Sequence, residues 1–245
     1  MNHRKATSLL VACLSGASFA APRVALAQTA AGSAAAPLNA LTAQERAAGW
    51  RLLFDGKTTQ GWRGYKQDSV PPGWKVVEGA LTRVDAASDI ITREKFKNFE
   101  LTLEWNIAAA GNSGIFYRAS EDDDAIYWNA PEMQVLDDAG HPDGKSRLTS
   151  AGAAYDMYPS SPGAVKPAGQ WNEARLVVKG NHVEHWLNGV KVVEYELGSA
   201  DWMAKLKESK FASHPHYGRN ATGYIGLQDH GDRVAYRNIK IRVLP

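Results

Sequence analysis

The 245-residue sequence is short of cysteine, of excess charge and of long apolar runs. Its single cysteine, Cys13, excludes an internal disulfide framework and a cysteine-rich zinc site. Lysine and arginine total 28 against 26 acidic residues, and this balance argues against a general nucleic-acid-binding protein. Beyond the N-terminal segment, no stretch is long and apolar enough to predict a membrane span.

Several signature motifs are also absent. The sequence contains no HExxH, GxSxG, GxGxxG or Walker A motif, so it gives no support for zinc-protease, serine-hydrolase or nucleotide chemistry. Asp137–Gly144 lacks the alternating Asp/Asn spacing of a calcium-binding loop. The acidic run Glu121–Asp124 is typical of a solvated loop. We find no repeat of fixed period and no βαβ alternation.

The N-terminal segment has the pattern of a secretory signal peptide. Arg4 and Lys5 precede an apolar run, and an A-x-A site at Ala25–Ala27 follows it. The pattern predicts a signal peptide over residues 1–27, cut after Ala27, and hence a periplasmic or secreted protein. Leu10–Cys13 also resembles a lipobox, which leaves open the alternative of a lipoprotein anchored at Cys13.

The rest of the chain divides into a linker and one domain. Residues 28–40 are small and of low complexity, which predicts a flexible linker because they cannot bury enough apolar surface to fold. A single folded domain is then expected over residues 41–245.

This domain is predicted to be all β, with one or two short helices. Asn188-Gly189 is the preferred pair for a type I′ turn, and it predicts a hairpin over Val183–Glu196. Helical patterns cover Thr42–Ala48, which opens with a capping box, and Ser199–Ser209. Many short strands at turn-marked intervals predict a β-sandwich or barrel. Period-two alternation predicts further strands at 101–105, 114–118, 132–136, 174–178 and 235–243.

The predicted strand 132–136 carries two polar side chains on one face. Glu132 and Gln134 share the face opposite Met133 and Val135, about 6.5–7 Å apart along the strand. They either line a sugar cleft or form a solvated outer face, and spacing leaves both interpretations open. Asp137 is out of phase with Glu132 unless a bulge intervenes, so this strand does not obviously supply the carboxyl pair of a conventional glycosidase.

Five other polar positions attract attention. Arg118 ends a predicted strand, where a guanidinium either holds a carbonyl or enolate oxygen or is simply solvated. Gln228, Asp229 and His230 follow a strand at a glycine, and His230 has the chemistry of a base or a metal ligand. His185 shares its strand phase with apolar neighbours, so it is either a satisfied core histidine or faces a cleft.

Taken together, these segments resemble the 3-keto-disaccharide hydrolase family. The matching stretches run in order from about residue 42 to the C-terminus, and their joint pattern is specific although each piece alone is weak. They are Gly49-Trp50, Leu53–Thr58, Gly61-Trp62, Gly111–Arg118, Pro131–Asp137, Tyr155–Pro159, Gln170–Asn172, Val177–Val192, Ser209–Phe211, Gly226–Gly231 and Arg237–Lys240.

The resemblance implies a concanavalin A-like jelly-roll β-sandwich that cleaves glycosides already oxidised to a ketone at C3. The ketone acidifies the C2 proton; a base removes it, the enolate expels the C1 leaving group, and water then adds. Such a site needs a base near C2, a cation, metal or donor at the C3 oxygen, and an acid near the leaving group. The resemblance also implies an upstream sugar 3-oxidase and, in some members, a divalent metal, whose ligands no motif here assigns.

We accordingly expect four catalytic residues. His230, or alternatively Glu132, is expected to be the base, and Arg118 with His185 to hold the C3 oxygen. The residues expected to contact sugar hydroxyls are Gln134, Gln228 and Asp229.

Two other hypotheses stay open at this stage. The fold is widely used for binding, so the first is a non-catalytic, lectin-like carbohydrate-binding module. The second is a conventional glycoside hydrolase that uses Glu132 with Asp137 or Asp156.

Overall fold

The computed structural model describes residues 37–245, which form thirteen β-strands, two α-helices and two short 3-10 helices. The predicted signal peptide and lipobox lie outside the described residues. The helices are α1, Ala43–Ala47, and α2, Ala200–Glu208, and the 3-10 helices are Ile126–Trp128 and Pro142–Lys145. The strands are β1 Trp50–Leu52, β2 Trp62–Gly64, β3 Trp74–Val77, β4 Ala80–Arg83, β5 Ile90–Thr92, β6 Phe99–Ile107, β7 Asn112–Ala119, β8 Glu132–Leu136, β9 Asn172–Lys179, β10 His182–Leu187, β11 Val190–Glu196, β12 Tyr224–Leu227 and β13 Val234–Val243.

The strands form two antiparallel sheets, as the predicted jelly-roll sandwich requires. The larger sheet has the order β11-β10-β9-β6-β13-β4-β3, with β1 also paired to β13. The smaller sheet has the order β2-β5-β12-β7-β8. Strands that are adjacent in a sheet are often far apart in the sequence, so many of them are connected by long crossovers rather than by hairpins. The all-β prediction is confirmed, and the sandwich rather than the barrel is the correct alternative.

Local sequence signals account for most element boundaries. Asn188 and Gly189 both have positive φ angles, +50° and +81°, as a type I′ turn between β10 and β11 requires. The Thr42 side chain caps α1 while Glu45 bonds back to the Thr42 amide, which is the predicted capping box. Ser199 caps α2. Each of the five strands predicted from alternation is present, within one or two residues of its expected ends.

The order of the domain extends slightly beyond its predicted start. Asn39, near the end of the predicted linker, exchanges hydrogen bonds with Asn238: each backbone amide donates to the other side chain, at 2.6 and 2.8 Å. The Asn39 side-chain amide also donates to the Gly79 carbonyl at 2.8 Å. These three bonds fix residue 39 against the domain, whereas the sequence placed the boundary at residue 41.

The hydrophobic core fills the space between the two sheets. Alternate residues of each strand point inward, for example Leu176 of β9, Ile115 of β7 and Val135 of β8, which are all fully buried members of one core cluster. The abundant aromatic residues belong mainly to this core. The rings of Tyr158, Tyr195, Trp202, Tyr217 and Phe211 follow one another in a nearly parallel stack, with successive centroids 4.0–5.9 Å apart.

The outer face of the smaller sheet is covered as well. Every residue of β7 and β8 is buried, including those that point away from the core. Ile126 of the first 3-10 helix packs with Phe116 and Ile91 in a second hydrophobic cluster on this outer face. The face therefore is not the solvated surface that strand alternation left as one alternative. No helix within residues 37–245 has the length and apolarity needed to cross a bilayer.

Candidate active site

A cleft of about 360 Å³ opens on the outer face of the smaller sheet, beside the second cluster. The register of β7 and β8 pairs Gly114 with Gln134 and Phe116 with Glu132, so these four residues share that face. The chain after β12 adds Gln228, whose backbone N–H donates to the Gly114 carbonyl at 3.0 Å. The residues that line the cleft are Asn112, Tyr127, Glu132, Gln134, Tyr155, Lys210, Gln228 and His230.

A glycine makes room for the acid on the cleft floor. A Cβ atom at Gly114 would overlap the carboxylate oxygen Oε1 of Glu132, so only a glycine lets that side chain lie across the neighbouring strand. Gly226 makes room in the same way for Ile126, which covers the outer face of the sheet, because a Cβ at Gly226 would overlap the Ile126 side chain. The glycines of the GNSG and GLQD segments are therefore explained by close packing rather than by turn geometry.

Glu132 is the carboxylic acid of this cleft, and its environment changes its acidity. The residue is only 5% exposed, and burial raises its pKa to about 8. The negative charges of Asp89 and Asp143 add to this effect, while the Lys210 ammonium opposes it. A carboxyl group with a pKa near 8 is a far stronger base, once ionised, than an ordinary glutamate.

Three buried amides surround this acid without protein partners. Both polar atoms of the Gln134 amide, the Gln228 oxygen Oε1 and the Asn112 oxygen Oδ1 make no hydrogen bond within the described part of the chain. Gln134 is fully buried, and Gln228 and Asn112 are at most 9% exposed. Because an unsatisfied buried amide costs free energy, their convergence indicates a cleft built for a polar ligand.

One wall of the cleft carries a cation on an aromatic face. The Lys210 ammonium lies 4.0 Å from the centroid of the Tyr155 ring and 6.0 Å from that of Tyr127. The Tyr155 hydroxyl donates to Asp143 at 3.0 Å, and this bond together with burial raises the pKa of Tyr155. Of the described residues that line the cleft, Lys210 is the one with an ammonium or guanidinium group.

His230 lies at the exposed mouth of the cleft, edge to face with the ring of His141 at 6.4 Å. The turn that presents it is held by Asp229. The Asp229 carboxylate accepts from the Arg83 guanidinium at 2.7 Å and from the amides of Ala87 and Gly231 at 3.0 Å. Asp229 was expected to contact a sugar hydroxyl; the structure instead places both its oxygens in contacts that fix the turn.

The two residues predicted to hold the C3 oxygen lie elsewhere. His185 is fully buried between the sheets, where its Nδ1–H donates to the Gly152 carbonyl and its Nε2 accepts from the Tyr117 hydroxyl, both at 3.0 Å. Burial lowers its pKa to about 4, so it is a neutral core histidine. Arg118 lines a different cavity and donates to the carbonyls of Lys97 and Gly180. Neither side chain lines the cleft.

Four lining residues were not singled out from the sequence. Asn112, Tyr155 and Lys210 lie in segments that carry the family resemblance, and that membership was the available signal. Tyr127 lies in the loop between β7 and β8, and no local pattern marks it. Lys210 follows α2, far along the chain from β8, so its approach to Glu132 depends on the crossover and not on any spacing.

The cleft does not fit a divalent cation held by three ionisable ligands. Glu132 and His230 are the only carboxylate and imidazole among the described residues that line it. Within residues 37–245, the one group of three such side chains with ligand atoms within 4.8 Å is His182, Glu184 and Glu194. It lies on the outer side of the β10–β11 hairpin, where the Lys191 ammonium bonds to both glutamates.

A larger cavity, of about 520 Å³, lies on the outer face of the larger sheet. Small side chains such as Ala80 and Ala235 form much of its lining, and Trp171 is already covered by the Arg237 guanidinium, 3.8 Å from its centroid. Unlike the smaller cleft, it has no buried side-chain polar atom without a hydrogen-bond partner among the described residues that line it. Chemistry therefore favours the smaller cleft as the candidate active site.

Comparison with known proteins agrees with the predicted resemblance. Residues 49–242 match the family model described as the 3-keto-alpha-glucoside-1,2-lyase-like domain. A curated protein from Bacteroides thetaiotaomicron, named 3-keto-disaccharide hydrolase, is 40% identical over an alignment that covers 86% of this chain and 83% of the relative.

Solved structures give the same picture. The fold matches a crystal structure of a putative glycosyl hydrolase from Parabacteroides distasonis with a TM-score of 0.81 and 35% identity, over 85% of this chain and 100% of that one. A second putative glycosyl hydrolase from the same species matches with a TM-score of 0.64 and 29% identity, over 80% and 99% of the two chains.

Proposed function

Because this chain belongs to the 3-keto-alpha-glucoside-1,2-lyase-like domain family, we propose that it hydrolyses 3-keto-glycosides, such as 3-keto-disaccharides, by elimination and hydration. A base removes the proton from C2, and the electrons of that bond form an enolate on the C3 oxygen. The enolate collapses, the C1–oxygen bond breaks, and the leaving alcohol takes up a proton. Water then adds across C1 and C2, with its hydroxyl on C1 and its proton on C2.

The observation that carries the proposal is the buried Glu132 carboxyl among unpartnered amides, within the same cleft as a lysine. In this proposal Glu132 is the base, in preference to His230. Its raised pKa, about 8, brings it closer to the acidity of a carbon acid next to a ketone than an ordinary carboxylate would be. A cleft with a single buried acid group also suits proton abstraction better than a paired-carboxylate mechanism.

In this proposal Lys210, rather than Arg118 and His185, holds the C3 oxygen of the substrate. The ammonium group lies against the Tyr155 ring, and we assign it to balance the negative charge that develops on the enolate oxygen. No ion pair occupies this ammonium within residues 37–245, because no carboxylate oxygen lies within 4.0 Å of it. It is therefore free to pair with the substrate.

The unpartnered amides and His230 complete the roles. The side-chain amides of Gln134, Gln228 and Asn112 are assigned to bind the hydroxyl groups of the oxidised sugar ring, as donors and as acceptors. His230, at the exposed mouth, is assigned to protonate the leaving alcohol as it departs toward solvent. An upstream sugar 3-oxidase has to supply the ketone, and the predicted signal peptide would place both steps outside the cytoplasm.

The two alternatives have less support. A conventional glycosidase needs a second carboxylate in the cleft. Asp137 instead accepts from the Ala110 amide at 2.8 Å, and Asp156 from the Lys210 amide at 2.7 Å; neither lines the cleft. The raised pKa of the buried Glu132 carboxyl favours a catalytic site over a purely binding module.

The direct test is turnover of a 3-keto-glucoside and of the matching unoxidised glucoside by the wild type and by Glu132→Gln and Lys210→Met. We expect turnover of the ketone alone and its loss in both variants. His182→Gln, at the exposed His182–Glu184–Glu194 group on the other sheet, is the control and should match the wild type. Binding of the ketone without turnover by the wild type would favour the lectin-like module, and turnover of the unoxidised glucoside would favour the conventional glycosidase.

A further inference from the structure

Arg118, which the proposed mechanism does not use, lies in an unusual setting. Arg118 is only 4% exposed, yet no carboxylate pairs with its guanidinium within residues 37–245. One guanidinium nitrogen, Nη2, donates to the carbonyls of Lys97 and Gly180, while Nε makes no hydrogen bond there. Burial also lowers the pKa of this guanidinium, because a buried charge without a counter-ion is unfavourable.

The backbone at this position is strained in a way that sets the direction of the side chain. Arg118 has a φ of +54°, a left-handed conformation that is uncommon for residues other than glycine. It lies at the bulge where the pairing of β7 with β12 shifts register. Gly223 makes the bulge possible, because a Cβ there would overlap the Arg118 backbone. The bulge thus turns the guanidinium away from the cleft and into a separate cavity.

That cavity is cationic and rich in donors. It has a volume of about 190 Å³ and is lined by Arg118, Arg219, Asn181, Asn220, Leu197 and small residues, with no acidic side chain among the described residues that line it. Arg219 is exposed and makes no ion pair within residues 37–245. The Asn220 amide nitrogen is buried and, in the same part of the chain, has no acceptor.

We propose that this cavity binds a small oxyanion, such as phosphate, sulfate or a carboxylate group. Two guanidinium groups without carboxylate partners supply the charge, and planar guanidinium forks match the oxygens of such an anion. Arg118 Nη1 makes no hydrogen bond within residues 37–245, and a bound oxyanion would accept from it. The site is independent of the proposed catalytic function, because none of its residues lines the cleft.

Calorimetric titration of the full chain with inorganic phosphate, and separately with acetate, tests the proposal at constant ionic strength set with sodium chloride. We expect saturable binding of one anion per chain. Arg219→Ala, at an exposed position that the fold does not depend on, should weaken binding about tenfold or more, since charge-assisted hydrogen bonds of this kind are the strong ones. Arg118→Gln should abolish binding, and if it fails to fold, Arg219→Ala decides.

The control is Arg233→Ala, which removes the same charge from an exposed arginine that lines the larger cavity instead. It should bind the anion like the wild type. A preference for phosphate identifies a tetrahedral oxyanion as the ligand and a preference for acetate a carboxylate; either supports the site. Absence of saturable binding of both anions, wild-type affinity in Arg219→Ala, or equal losses in Arg219→Ala and Arg233→Ala would overturn the proposal.

Discussion

Replacing Glu132 with glutamine should inactivate the protein and at the same time stabilise it. Glutamine resembles the protonated glutamate in shape, so it keeps the packing over Gly114 but never carries the buried negative charge. As the proposed base, Glu132 is expected to account for a factor of about 10²–10⁴ in kcat. A residue with only a structural role would not combine a loss of activity with a gain in stability.

The magnitude follows from the two acidities. The carboxyl titrates near 4.5 in the unfolded chain and near 8 in the folded protein, so folding takes up a proton between these pH values. Stability therefore falls as the pH rises through this window and levels off above about 8. Linkage gives a cost in the free energy of unfolding of about 1 kcal/mol at pH 5, about 3 kcal/mol at pH 7 and about 5 kcal/mol at pH 9.

Urea denaturation of the wild type and of Glu132→Gln at these three pH values measures the difference directly. The variant should be more stable at each, by an amount that grows with pH. Glu121→Gln is the matched control of opposite sign, because the Arg63 guanidinium, at 2.6 Å, lowers the pKa of Glu121, and its loss should destabilise the protein. A stability difference for Glu132→Gln that is absent, or constant with pH, would refute the reasoning.

Three further predictions concern other residues. Lys210→Met should lower kcat/KM by a factor of about 10²–10³, the usual effect of losing one oxyanion-stabilising group, while Lys205→Met, on the preceding helix, should leave steady-state kinetics unchanged. Gly114→Ala should push the Glu132 carboxylate out of place and reduce kcat about 100-fold with a smaller change in KM, as initial rates would show. The pKa of His185, about 4 in the fold against 6.5 unfolded, means that stability falls by about 3 kcal/mol between pH 7 and pH 4, and denaturation of His185→Phe should lack this fall while its kcat/KM at pH 7 is retained.

The strands were predictable because their signals are local. Alternation alone located β8 at Glu132–Leu136, and the Asn188-Gly189 pair located a hairpin turn, since each pattern depends on a few adjacent residues. The burial of both faces of β8 was not predictable in this way. It depends on tertiary contacts, such as those of residues 152–155, whose backbone bonds to Gln134 and Glu132 along the free edge of β8.

The candidate site shows the same division. Glu132, Gln134, Gln228 and His230 were identified from strand phase and from the resemblance, and the structure brings these four to one cleft. His185 and Arg118 have side chains that are common in catalytic sites, but neither of them lines the cleft. The first is turned into the core by the alternation of β10.

Arg118 lies outside the cleft for a different reason. It is turned away from the cleft by a bulge and a positive φ, and no simple phase argument anticipates either.

The central claim is that the C2–hydrogen bond of the sugar breaks during the reaction. Turnover of a 3-keto-glucoside in deuterium oxide, followed by proton NMR of the released 3-keto-sugar, tests it most directly, provided that the unreacted substrate is shown to retain its C2 proton. The account predicts one deuterium at C2 in each product molecule formed by the wild type, because the proton that Glu132 removes exchanges with the solvent and the hydration step delivers a solvent deuteron to C2. Product that retains its original hydrogen at C2 would contradict elimination and would require direct displacement at C1.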